Sequence, residues 1–514
     1  MSPSPSPPPR SEAEQIVVLT KELAWSRLKI QALEERLRLE MIRKYGPKSE
    51  KLSDNQLQLL DLEPGVSTEE VEAESRRAPL SAASPATTTA KSKGGKHPGR
   101  QALPSNLPRV ERIVACTPEQ CVCKSCGNDK AVIGYEQSEQ LDVEPARYFV
   151  VVIRREKRAC RSCAEGVSAA PLPERIIDKG LVSDRVVVDT IVNKYSDHLP
   201  LYRQSAILER DTGVSISRAT MDGWIMRVGE MLIPIVGAMR CELIAGSYIQ
   251  ADETPVPVQM SDGRGKNHQA FLWQYGKPGG NVVFDFQMGR DRAGPVKFLG
   301  QYEGILQTDG YAAYGRVGGS GMVHAACWAH ARRKVFDAVK LNPEDRMAVQ
   351  LVARIDELFA VDAEARQAGM DPGARHALRG ERSRPLLGVM RKEMERVQTA
   401  VLPASALGRA VSYTLSLWEK LTQFVEHPEL ELSNNSAENS MRPVVLGRKN
   451  WIHVGSEQAG PKVATVLSVV ETCRRLKLPV REYLACVLPG LGNVPVQRVS
   501  HYTPAAWAAS HNCK

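Results

Sequence analysis

The chain has 514 residues, 42% hydrophobic and 25% charged, with 68 Lys and Arg against 59 Asp and Glu for a formal net charge of +9. This is the composition of a soluble protein of several domains; no stretch is apolar enough to span a membrane, and the proline-rich start Met1–Arg10 lacks the apolar core of a secretory signal, so a cytoplasmic location is expected. So moderate a charge fits many proteins that never touch nucleic acid, and its placement says more than its sum.

After a tail at 1–11, the segment 12–63 opens with a heptad in which Ile16, Leu19, Leu23, Ile30, Leu33 and Leu37 take a and d positions. The spacing predicts a short coiled coil and self-association, with Ser26 and Glu40 as flaws in the seam; an amphipathic helix docked on its own chain is the alternative. Residues 64–108 are rich in Ser, Ala, Thr, Pro, Lys and Gly and read as a flexible linker, whose Lys91, Lys93, Lys96 and Arg100 add attraction to phosphates.

Eleven cysteines without an export signal point to thiols or metal ligands rather than disulfides. Within 109–175, Cys123-Lys-Ser-Cys126 and Cys160-Arg-Ser-Cys163 flank a strand-like run at Tyr148–Ile153. Two such knuckles predict a zinc ribbon-like module with one structural Zn²⁺, because each short turn brings two thiolates to one tetrahedral ion. Cys116 and Cys121 are spare ligands, and a redox pair is the competing reading.

From 176 to 243 the pattern is helical: a helix at Leu201–Arg210, a break at Asp211–Val214, and Ser217 capping a second helix through Val228. This predicts a helix-turn-helix-like segment, although the second helix carries only Arg218, Thr220, Asp222 and Arg227 toward DNA, and many such pairs simply pack.

Apolar runs at Ala270–Tyr275 and Asn281–Phe286, a helix near Pro295–Leu299 and a strand at Gly304–Thr308 then follow, in the order of a ribonuclease-H-like α/β sheet. That domain is expected to take up 244–340 and 431–478, interrupted by an all-α insertion at 341–430 that holds DNA or a partner subunit. Helices through Glu471–Leu478 and Val480–Val487 are expected on one sheet face, with 479–514 as a C-terminal helical segment, and Trp451–Gly455 as a short strand or turn.

Three acids stand in this frame: Asp252 in YIQADETPV, Asp309 in ILQTDGYAAY and Glu438 in SNNSAENSMRP. The first two follow strand-like runs and the third sits where Ser433, Asn434 and Asn435 would cap a helix, so the three can converge. A carboxylate trio suits two Mg²⁺ or Mn²⁺ ions that activate an attacking oxygen in phosphoryl transfer. Taken singly, each acid would read as an ordinary turn or surface residue. Beside them, Arg332, Arg333, Lys334, Arg442, Arg448 and Lys449 are candidates for contacting DNA phosphates; Cys327 and His330 have metal-like spacing but no second ligand pair close by for a closed zinc site, and are read as packing beside or supporting the acids.

The segments ADETP, TDGYAAY, CWAHARRK and NNSAEN-x-x-RP-x-x-x-GRKNW together resemble the transposases of the insertion sequence 66 family, over about Ile16 to Trp507. The resemblance implies that Asp252, Asp309 and Glu438 are the metal-binding DDE triad of a transposase that cuts at the inverted-repeat ends of its element and joins them to target DNA. It also implies a zinc-finger-like segment and two small accessory proteins encoded nearby. In DDE enzymes a Cys/Asp-x-x-His pattern follows the second acid, as Cys327 and His330 do here. The competing functions are a DNA-binding regulator with an inactive sheet domain and a nuclease of the same fold that cuts without strand transfer.

Overall fold

A computed structural model describes residues 173–178, 180–260 and 267–511 and, upstream, 148–154, 156–159, 167–169 and positions 20, 23, 30 and 128. The described residues form two compact units, one within Ala78–Ala169 and one carrying everything downstream. The first contains an antiparallel hairpin of β1 (Lys157–Ala159) and β2 (Val167–Ala169). Tyr148–Ile153, expected as a strand, forms no ladder among the described residues and is exposed; pairing starts only at Lys157. The heptad's seam, apart from Leu23 and Ile30, and the four knuckle cysteines lie outside the described residues.

The second unit begins with α1 (Asp184–Tyr195), α2 (Leu201–Thr212) and α3 (Arg218–Ala245). Gly213, at φ 72°, ends α2 in the left-handed conformation that glycine adopts without a Cβ clash. Ser217 caps α3 by accepting from the Thr220 N–H, as its sequence predicts. That helix runs well past the expected Val228, and its Trp224, Ile225, Val228, Leu232 and Ile235 are buried in the core.

A five-stranded sheet follows, built from β3 (Tyr248–Val258), β4 (His268–Gly276), β5 (Val282–Gln287), β6 (Ile305–Thr308) and β7 (Val323–Ala326), with α4 (Ala293–Leu299) between β5 and β6. The spatial order is β5-β4-β3-β6-β7; the first three strands are an antiparallel meander, and β6 and β7 run parallel to β3. Burial along β4 is nearly continuous, as expected of a strand covered on both faces.

Beyond the sheet come α5 (Trp328–Leu341), α6 (Arg346–Gln367), α7 (Pro372–Leu378), α8 (Arg384–Ala400), α9 (Ala406–Ser416) and α10 (Trp418–Thr422), with no strand among them. They enclose a second apolar core around Trp328, Val352, Leu358, Met390 and Phe424. Within it Asp362 pairs with Arg379 at 2.6 Å and Arg375 at 2.8 Å, and Arg375 continues to Glu431 at 3.0 Å.

The chain returns to the sheet in α11 (Asn435–Trp451), α12 (Ala459–Arg475), α13 (Val480–Val487) and α14 (Pro504–His511). Trp451 ends α11 rather than opening a strand; Val454 alone bridges to Val258. The expected helix at Glu471–Leu478 is the end of the longer α12, which packs on β5, whereas α13 packs on α1 rather than on the sheet. Along the outer edge of β5, Thr472 Oγ1 accepts from Val282 N at 2.9 Å and Ser468 Oγ from Phe284 N at 2.8 Å. No helix among the described residues is long and apolar enough to cross a membrane.

Candidate active site

Asp252 lies inside β3 rather than at its end, two residues past Gln250, where parallel pairing with β6 stops. Asp309 follows β6 directly, and its Oδ1 accepts from Tyr311 N at 2.8 Å, turning the chain through Gly310 at φ 92°. Glu438 stands in the first turn of α11.

What brings α11 to the sheet is a pair of buried glutamines that the sequence reading passed over. Gln250 donates to Gln307 Oε1 at 2.9 Å and to the Ser433 carbonyl at 2.9 Å, and its Oε1 accepts from Ala437 N at 3.3 Å. Gln307 donates to the Glu431 carbonyl at 2.7 Å, and Tyr248 Oη closes the network on Gln307 Oε1. A signal was there: Gln250-Ala-Asp252 and Gln307-Thr-Asp309 repeat one pattern, and in an extended chain residues two apart share a face.

The expected side-chain cap of α11 does not form. Asn434 occupies the cap position, but its side chain makes no cap bond and both its amide atoms are buried without a hydrogen-bond partner. Its backbone N–H donates instead to Cys327 Sγ at 3.4 Å, and Trp328 N donates to the Leu432 carbonyl at 2.8 Å, so the N-termini of α5 and α11 meet.

The three acids gather electrostatically. Burial pushes the Asp252 carboxyl up to about 8, and the negative charges of Glu438, Glu253 and Asp309 add to the rise. Burial and like charges favour the protonated acid when no cation is bound, whereas a divalent cation would stabilise the ionised carboxylates in its place. Oxygen donors suit a hard cation, although among the described residues the oxygens of Asp252, Asp309 and Glu438 do not all lie within 4.8 Å of one another.

A fourth acid, Glu253, was also missed, hidden beside Asp252. Its side chain is 2% exposed, held by Arg290 at 2.6 Å and by Tyr314 Oη at 3.0 Å. Arg290 in turn lies over the Tyr311 ring at 4.1 Å, and Tyr311 Oη donates to the Arg290 carbonyl. This cluster fastens the turn after Asp309 to β3. From the helical region, Tyr413 Oη donates to the Asp309 carbonyl at 2.6 Å.

Cys327 and His330 do adjoin the third acid: His330 Nε2 is 3.6 Å from Glu438 Oε1. Burial pushes the Cys327 thiol up to about 12, with the Glu438 charge contributing, so it is neutral here. Of the basic candidates, Arg333, Lys334, Arg442 and Lys449 are exposed. Arg332 is not available to DNA: it is 3% exposed, turned inward on the face of α5 that carries Trp328 and Val335, and forked onto Asp356 at 2.5 and 3.1 Å. Arg448, half-buried, donates to the Pro255 carbonyl and Thr254 Oγ1, tying α11 to β3.

Comparison with known proteins agrees with this architecture. A family model described as "Transposase IS66 family" matches residues 179–462, which include all three acids. Models described as "Transposase C of IS166 homeodomain" and "zinc-finger binding domain of transposase IS66" match 32–112 and 120–164, the latter spanning the four knuckle cysteines. Three uncharacterized proteins of Sinorhizobium fredii are similar along most of their length. The protein y4hP is 30% identical over 92% of this chain and 87% of its own, y4qI 33% over 73% and 71%, and y4jD 31% over 79% and 82%. With more than half the chain matched by the family's main domain, this protein belongs to the transposases of the IS66 family.

Proposed function

We propose that this transposase binds the inverted-repeat ends of its element, cleaves a phosphodiester to release a 3′-OH, and joins that end to target DNA at Asp252, Asp309 and Glu438. The observation that supports the reading is that β3, the turn after β6 and the first turn of α11 bring Asp252, Asp309 and Glu438 close enough for both other acids to raise Asp252. The strand order β5-β4-β3-β6-β7, with an antiparallel first hairpin and two parallel strands after it, supports a ribonuclease-H-like domain, in which α5–α10 are the insertion.

Two bound divalent cations would supply activation of the attacking oxygen and stabilisation of the leaving one. The protein's part is placement. Asp252 is fixed by the strand, Asp309 by the Tyr311 turn and Tyr413, and Glu438 by the Gln250–Gln307 network. Arg333, Lys334, Arg442 and Lys449 are placed to hold DNA phosphates, and holding them in line lowers the barrier by orientation. The exposed start of α3, with Arg218 and Thr220, is available to a DNA groove.

Upstream, Cys123, Cys126, Cys160 and Cys163 are the ligands of one structural Zn²⁺, and the heptad segment joins two copies so that two DNA ends are held together; the element's small accessory proteins are further partners in the cytoplasm. The test is cleavage and joining of labelled DNA carrying the element's ends with Mg²⁺ or Mn²⁺, comparing wild type with Asp252→Asn, Asp309→Asn and Glu438→Gln. Cutting and joining by wild type alone supports the assignment. Equal binding by all four proteins with no cutting would leave a DNA-binding regulator, and cutting without joining a nuclease.

A further inference from the structure

Cys327 Sγ, a ring nitrogen of His330 and a carboxylate oxygen of Glu438 lie within 4.8 Å of one another, and no other such trio of His, Cys, Asp or Glu occurs among the described residues. Glu438 Oε1 and His330 Nδ1 are both shielded from solvent without a hydrogen-bond partner, and so are both amide atoms of the fully buried Asn434 next to Cys327. Each buried polar atom without a partner costs roughly 1–3 kcal/mol, and so many around one thiol call for a ligand. The donor set is of mixed softness. Mg²⁺ takes oxygen, whereas Zn²⁺ and Co²⁺ accept sulfur and imidazole nitrogen.

We infer that Cys327, His330 and Glu438 form a binding site for a thiophilic divalent cation of the Zn²⁺ class, distinct from the carboxylate site but sharing Glu438 with it. Ligand atoms on a tetrahedral ion stand about 3–4 Å apart, so the trio closes on one by roughly 1 Å of side-chain movement. Cys327 caps α5 and His330 lies three residues on, while Glu438 faces them from the first turn of α11. Burial keeps the Cys327 thiol protonated when the site is empty, so ion binding there releases its proton. Three protein ligands leave a fourth position to solvent, the form of an exchangeable site rather than a closed structural one. An ion held there draws Glu438 away from Asp252 and Asp309, so soft and hard cations exclude each other and the soft one silences the acid cluster. Ion binding at the trio does not depend on DNA cleavage; the silencing does.

The test titrates full-length protein, its zinc module already filled with one equivalent of Zn²⁺, with Co²⁺ under excess Mg²⁺. Wild type is expected to develop thiolate-to-cobalt charge-transfer and tetrahedral visible bands; Cys327→Ser loses them, and His330→Ala, whose side chain is partly exposed, weakens binding at least about tenfold. Circular dichroism establishes that the variants are folded, and His330→Ala carries the test should Cys327→Ser fail to fold. Identical cobalt spectra in wild type and both variants, or a spectrum without sulfur bands, would overturn the site. Micromolar Zn²⁺ is expected to suppress Mg²⁺-dependent cleavage until a chelator is added; cleavage unchanged with the trio filled would overturn the silencing.

Discussion

Two groups of buried charge, one at the sheet and one among the helices, are built to opposite plans. Asp362 is 2% exposed, yet two guanidiniums grip it, Arg379 continues to the carbonyls of Phe424 and Leu430, and Arg375 continues to Glu431. Burial alone would raise its carboxyl, but hydrogen bonds from Arg375 and the charges of Arg379 and Arg375 hold it below the usual value. Asp252 is instead surrounded by Glu438, Glu253 and Asp309 and stands far above it. A self-neutralised cluster holds a structure together. At Asp252, by contrast, no arginine grips the carboxyl, and the neighbouring acids add to the rise that burial causes.

The largest expected effect comes from the acids. Asp309→Asn or Glu438→Gln should reduce end cleavage at least about a thousandfold, several kcal/mol of transition-state stabilisation, while the protein remains folded. Residual activity within tenfold of wild type would remove the contrast between the two clusters. Next, Asp362→Ala should destabilise the fold by about 3–5 kcal/mol in denaturant titration, because Arg379 is left buried without a counter-charge. A stable variant would mean that the arginines relax to water.

Glu253→Gln and Gln250→Ala probe the supports, each leaving buried partners unsatisfied at about 1–3 kcal/mol. Both should raise the Mg²⁺ concentration needed for cleavage more than they change DNA binding. Equal loss of both properties would point to general unfolding instead.

The smallest effect is the most diagnostic of sign. Asp252 is protonated in the folded state where the unfolded chain has released its proton, so without metal stability falls as pH rises from 3.8 toward about 8 and stays low above. Asp252→Asn should therefore stabilise the metal-free protein by about 1–2 kcal/mol at pH 8, allowing for solvent screening, with no gain near pH 4. Asp362 works the other way: its contribution is complete above the ordinary carboxyl value and is lost as pH falls through the lower, folded one. Thermal melts across pH separate the two.

The meander and the helical region were legible because their periodicities are strong. Arg332 was misread although the signal existed: Trp328, Ala331, Val335 and Phe336 mark the buried face of α5 and place Arg332 on it. Its partner Asp356, like the Arg375–Glu431 contact across the insertion, depends on long-range packing that no local pattern encodes. The failed cap of α11 has the same origin. Asn434 obeys tertiary contact with Cys327, not helix-start preference.

The hydroxyls of Ser468 and Thr472 have a consequence for the company this protein keeps. A bare outer strand invites another chain to extend the sheet, the first step toward fibrils and disordered aggregates. By seating α12 hydroxyls on the amides of Val282 and Phe284, the fold closes that invitation at the β5 edge with a helix.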